Sequence, residues 1–144
     1  MLEVGTFREQ LDILAFENEC RKQEQVDIPV THTFSGGVYI RQIVIPKGVL
    51  IIGKRHRYET CNMILSGKIA MYVGPSEPPL IMDGAFQFTS GPNVKKILYC
   101  MEDAVFATIH PTKETNVAKI EQEFIIPEKE YITGGEVRGM ECLS

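Results

Sequence analysis

Apolar positions along the chain follow two textures. Between residues 6 and 21 they recur at near-helical spacing, at Phe7, Leu11 and Leu14 with Phe16 close by. Thr6-Phe7-Arg8-Glu9 has the T-x-x-E form of a capping box, and Arg21 and Lys22 suit the negative end of a helix dipole. A helix is therefore predicted over 6–21. Pro29 ends the linker behind it. From 37 to 110 short β-branched runs alternate with turn signals, which predicts strands near 37–45, 49–53, 60–65, 68–73, 79–82, 85–89, 96–101 and 104–110. Pro46-Lys47-Gly48 separates the first two, and Ser66-Gly67 and Asp83-Gly84 read as hairpin turns. Pro75, Pro78 and Pro79 mark a loop, and Gly91-Pro92-Asn93 another turn. After His110-Pro111 the helical period returns at Val117, Ile120, Glu121 and Phe124, with Thr115 as the expected N-cap. Residues 125–144 begin apolar at Ile125 and Ile126 and then turn polar. They predict an extended tail that packs on a neighbour.

Eight short strands at a spacing of about ten residues argue for an all-β fold, an antiparallel barrel or sandwich, with one helix before it and one after. The organisation expected is a helix and linker over 1–29, a barrel over 30–112, and a helix and tail over 113–144. A chain of 144 residues is long enough to bury one core without staples. Cys20, Cys61, Cys100 and Cys142 are too far apart for a CxxC motif and read as reduced cytosolic thiols packed as small core residues; Cys61, between charged neighbours, fits that reading least well. No run of apolar residues is long enough for a membrane span, and the first residues do not have the form of a signal peptide. A cytoplasmic location follows, in a host cytoplasm or a virion if the chain is phage-encoded.

Charge changes the picture in one place. The net charge is −4, which argues against nucleic acid as a partner. Yet residues 28–58 contain no acid and five bases, Arg41, Lys47, Lys54, Arg55 and Arg57, while both ends of the chain are acidic. This stretch is either a solvated strand edge or an anion-attracting mouth on an acidic protein.

The residues from Gly53 to Thr60, followed by Leu65-Ser66-Gly67, resemble the first motif of the cupin family, and those from Gly84 to Lys96 resemble the second. The resemblance spans 30–125. The framing segments His32-Thr33-Phe34, Gly37–Arg41, Ala107–His110 and Ile120-Glu121 are similar to those of small single-domain cupin proteins encoded in phage and prophage genomes. The resemblance implies a cupin-like β-barrel, or jelly roll. Anchored on Gly67, the family's metal-ligand positions fall on Lys54, His56, Thr60 and Lys96. A metal cupin would place imidazoles and a carboxylate or amide there. Two ammonium groups repel a cation and offer no lone pair, so neither a metal nor any other cofactor is expected.

Lys54, His56, Tyr58, Thr60, Asn62 and Ile64 share one parity and, if that face points inward, make an unusually polar interior. Lys96 and Leu98, His110 with Thr108, and Tyr39 with Arg41 join it. The candidate ligand-binding set is Arg41, Lys54, His56, Tyr58, Thr60, Asn62, Lys96 and His110. Each has a plainer alternative: His56 as a hydrogen-bonded barrel residue, His110 as a strand end, and Lys54, Arg55 and Arg57 as surface charge. His32 reads as a packing residue ahead of the first strand. Buried ammonium groups need pairing, and a small anion would supply it. Two functions follow. One is a non-enzymatic module, structural or virion-associated or binding a small ligand or host factor, and self-associating. The other is a cupin enzyme, either a metal-dependent oxygenase or a metal-free sugar isomerase or epimerase that uses His56, Tyr58 or His110 as a base near neutral pKa.

Overall fold

The computed structural model describes residues 7–74 and 77–127. Helix α1 runs Phe7–Cys20, and seven strands follow: β1 Val30–Ser35, β2 Val38–Ile45, β3 Leu50–Ile52, β4 Thr60–Met71, β5 Leu80–Asp83, β6 Phe86–Ser90 and β7 Ile97–Pro111. Helix α2, Val117–Phe124, closes the described chain. Every strand pairing is antiparallel. No helix among the described residues is long and apolar enough to cross a membrane.

The two long strands organise the barrel. The C-terminal half of β7 lies between β2 and the start of β4, with β1 and β6 outside them. The N-terminal half of β7 pairs with β3 and with the end of β4, whose other neighbour is β5. β4 and β7 thus pass from one sheet into the other. Their register shifts between Ile64 and Ile69, and the inward residues of β4 change from Thr60, Asn62 and Ile64 to Ile69 and Met71. Gly67 makes the bend possible. It has φ +92°, and a Cβ there would meet the Asp103 carbonyl and lie 2.6 Å from the Ala104 Cα. The core lies between the sheets on Ile43, Ile45, Ile64, Ile69, Met71, Met82, Leu98, Cys100, Ala104 and Phe106.

Several expectations are corrected here. Ser66-Gly67 is not a hairpin, because the chain continues as one strand through a bulge. Asp83-Gly84 joins β5 to β6, which pair with different halves of β4 and not with each other. The predicted strands 96–101 and 104–110 are likewise one strand, so eight become six, and β1 is added ahead of them. His32 belongs to β1, where its Nδ1 lies 2.6 Å from the Tyr39 hydroxyl. The N-cap of α2 is Asn116, whose side chain accepts from the Lys119 N–H, and not Thr115. Arg21 and Lys22 lie past the end of α1 and pair with Glu17 and Glu19. Thr6, the expected cap of α1, is outside the described residues. Cys100 is buried, but Cys61 is exposed and Cys20 only half-buried, while Cys142 is outside the described residues.

Two further segments are held to the barrel. Glu17 of α1 meets Lys95 at 3.0 Å, both largely buried. Behind α2 the chain pairs with residues 55–57: Arg57 N–H donates to Phe124 O, and Ile126 N–H donates to Arg55 O. Ile126 is buried. These apolar residues thus find their partner within the same barrel, which removes the reason for expecting them to seek a neighbour. Residues 128–144 lie outside the described chain.

Candidate functional site

Two loops position the site. Segment 53–56 is zipped to segment 93–96. Gly53 N–H donates to Lys96 O and Asn93 N–H to His56 O, and His56 N–H reaches Val94 O at 3.5 Å. Asn93 takes φ 65°, which an asparagine tolerates well, to make that turn. Arg55, fully buried, donates from Nη1 to Asn93 O at 2.6 Å. It is a structural tie between the two loops and not the surface charge expected of it. His56 and Lys96 are thereby set on the wall of a common cavity.

That cavity has a volume of about 290 Å³. Its inner surface is built in cross-strand rows. Ile43 of β2 lies opposite Phe106 of β7, Arg41 opposite Thr108, and Tyr39 opposite His110. All six line the cavity, with Leu98 and Ile51 across from them and Ile120, Glu121 and Phe124 of α2 along one side. One row is therefore apolar and the next two polar. The interior is less polar than the parity of 54–64 predicts, and it includes an acid, Glu121.

Of the expected ligand-binding set, Arg41, Lys54, His56, Lys96 and His110 line the cavity, and Tyr58, Thr60 and Asn62 do not. Tyr58 is 48% exposed, its ring edge-on to Phe124 at 5.6 Å. The alternation fails there because residues 53–59 are not a strand. Thr60 and Asn62 are buried behind the wall. The Thr60 hydroxyl lies 3.1 Å from His56 Nδ1. Asn62 Nδ2 donates to Ser90 Oγ at 3.0 Å, and Lys96 Nζ reaches the same oxygen at 3.3 Å. Lys54 stands at the rim, 3.5 Å from Glu121, with both side chains exposed. The sequence reading missed Glu121 as a site residue because its helical spacing marks a helix face and says nothing of where the helix docks. Tyr39 stacks with His32, Phe34 and His110 and forms a cluster with Ile120 and Phe124 beneath α2.

The electrostatics are lopsided. Lys96 is 6% exposed and has no ion-pair partner among the described residues. Burial lowers its pKa to about 8. His56 is pushed down to about 3, by burial first and then by the charges of Lys96, His110, Arg41 and Lys54. His110 is pushed down to about 4 by burial, Lys96 and Arg41. Its Nε2 lies 3.2 Å from Thr108 Oγ1, and its ring meets that of His56 edge-on at 5.4 Å. At neutral pH the wall holds a buried ammonium, a half-buried guanidinium and two neutral imidazoles.

The residues do not fit the metal that a cupin resemblance implies. Among the described residues no three His, Cys, Asp or Glu side chains come together as a metal-holding group. His56 and His110 are two imidazoles only, and the Lys96 and Arg41 charges, which add to burial in keeping them neutral, would also oppose a divalent cation.

The chain matches no protein-family model and no curated protein. Solved structures do resemble it. An RmlC-like cupin family protein with a double-stranded β-helix fold from Methanocaldococcus jannaschii is 15% identical with a TM-score of 0.48, over 63% of this chain and 85% of that one. A cupin superfamily protein from Desulfitobacterium hafniense is 10% identical with a TM-score of 0.49, over 62% and 82%. An acetylacetone dioxygenase from Acinetobacter johnsonii is 11% identical with a TM-score of 0.50, over 60% and 61%. At such identities the likeness concerns the fold and not the chemistry. The fold is the cupin double-stranded β-helix, an all-β jelly roll with a helix at each end.

Proposed function

We propose that this chain is a non-enzymatic binding module on a cupin fold, whose cavity takes a small anionic ligand with an apolar body. The observation that carries the reading is Lys96, a buried ammonium on a cavity wall without a carboxylate partner among the described residues. Isolated buried charge is costly, and a bound carboxylate or phosphate offsets that cost through charge-assisted hydrogen bonds of about 1.5–3 kcal/mol each. Arg41 supports it, being half-buried on the same wall with no ion pair among the described residues. The row of Ile43 and Phe106, with Leu98, suits the apolar body.

The enzymatic alternative finds less support. A general base works best with a pKa near the operating pH, and His56 and His110 are held at about 3 and about 4. Tyr58, the other candidate base, does not line the cavity. The phage part of the resemblance rests on the framing segments alone, and ligand binding does not depend on it.

Thermal-shift measurements with butyrate, inorganic phosphate and glucose test the reading. An anion should raise Tm in the parent protein and in Lys47→Met, whose lysine lies exposed in a turn. Lys96→Met should weaken that anion by about tenfold or more, the equivalent of one charge-assisted hydrogen bond. Stabilisation by glucose alone, or equal losses in the two variants, would overturn it.

A further inference from the structure

Resting on that binding reading, we infer that the ligand carries a hydroxyl group beside its anionic group, so that the cavity is built for a small hydroxycarboxylate. The argument is a count of protons around Thr60. Its hydroxyl has one proton and makes two contacts. Oγ1 donates to the Tyr58 carbonyl at 3.1 Å, and a carbonyl can only accept. The other contact, at 3.1 Å, is with His56 Nδ1. With its proton already given, Thr60 Oγ1 accepts there, and Nδ1 must be the donor. Only the Nδ1–H form of His56 satisfies both contacts. In a neutral imidazole the second nitrogen then carries a lone pair.

That nitrogen, Nε2, has no hydrogen-bond partner among the described residues. Thr60 is behind the wall and His56 is on it, so the ring turns Nδ1 to Thr60 and leaves Nε2 for the cavity. The zipped segments 53–56 and 93–96 set His56 and Lys96 in the lining of one cavity. A carboxylate alone can pair with Lys96, but it has no proton to offer Nε2. A carboxylate with a neighbouring hydroxyl serves both: its anion meets Lys96 and its O–H donates to His56. Asn62 adds to the pattern. It shares a cross-strand row with the wall residue Thr108, and its Oδ1 is a second buried acceptor without a partner.

Calorimetric titration compares butyrate with 2-hydroxybutyrate and 3-hydroxybutyrate on the parent protein, Thr60→Val and Thr60→Ser. The parent should bind one of the hydroxy acids about tenfold or more tighter than butyrate, because the unsubstituted acid leaves Nε2 unpaired. Thr60→Val keeps the shape but frees the His56 tautomer, so it should hold butyrate at least as tightly as the parent does and lose the preference. Thr60→Ser should keep it. Two-bond ¹⁵N–¹H correlation spectra of His56 should show the proton on Nδ1 in the parent. Equal affinity for all three acids in the parent, a preference that survives Thr60→Val, or a proton on Nε2 would overturn the inference while leaving the anion reading intact. Failure of all three acids to bind would overturn the inference, and failure of inorganic phosphate as well would overturn both.

Discussion

Three adjacent residues of the basic stretch have three different fates. Lys54 is at the rim, Arg55 is fully buried beneath the loop at Asn93, and His56 is on the cavity wall. Sequence parity joined Lys54 to His56 and put Arg55 on the outside, because parity counts residues as though they formed a strand. Stability should separate them. Arg55→Ala should cost about 3 kcal/mol or more, since it empties a packed site and unties two loops, while Lys54→Ala should stay within about 0.5 kcal/mol. Urea unfolding of the two variants measures this, and similar midpoints would contradict the placement of Arg55. The imidazoles predict a pH dependence. The unfolded chain takes up protons on His56 and His110 below about pH 6.5, but the folded chain does so only near 3 and near 4 respectively. Stability that is complete above pH 6.5 should therefore decline as the pH falls toward those values. Between about pH 6.5 and pH 5, before most carboxylates titrate, a falling Tm whose slope is reduced in His56→Gln, with His110 still contributing, is the expected result. A parent profile flat over that interval would argue that the imidazoles are not desolvated.

At the level of elements, strand composition made six of the seven strands legible, but not where two of them join. Ser66-Gly67 has the composition of a hairpin turn, and only the close approach of Asp103 and Ala104 from β7 shows that this glycine serves a bulge. β1 escaped notice because only Val30 and Phe34 of its six residues are apolar, and all six are exposed in the fold. It is an edge strand, held by its register with β2 and by the His32–Tyr39 contact. α2 was legible as a helix, but not as a wall of the cavity. The bulge makes a prediction that the hairpin does not. Gly67→Ala adds left-handed strain and a clash with backbone, about 3 kcal/mol together, whereas Gly48→Ala has open space around it and pays only the strain of φ +85°, about 1 kcal/mol. Comparable denaturation midpoints for the two variants would contradict the bulge.

For the molecule as a whole, an acidic protein encloses a cationic cavity. Its net charge of −4 resists an incoming anion at long range, and Lys96 and Arg41 favour it at short range. Binding should also be linked to pH. An anion that pairs with the Lys96 ammonium must hold its proton in place, so affinity should decline as the pH rises above about 8, the value for the free protein. The same linkage provides the most direct test of the central claim, that a ligand anion sits on Lys96. The lysine's pKa can be followed by NMR of its side-chain nitrogen, with and without saturating butyrate or hydroxybutyrate. If the account is right, the Lys96 pKa moves up from about 8 on addition of the acid, while that of Lys47 stays where it was. A Lys96 titration that the acids leave unchanged, at concentrations that stabilise the protein, would contradict it.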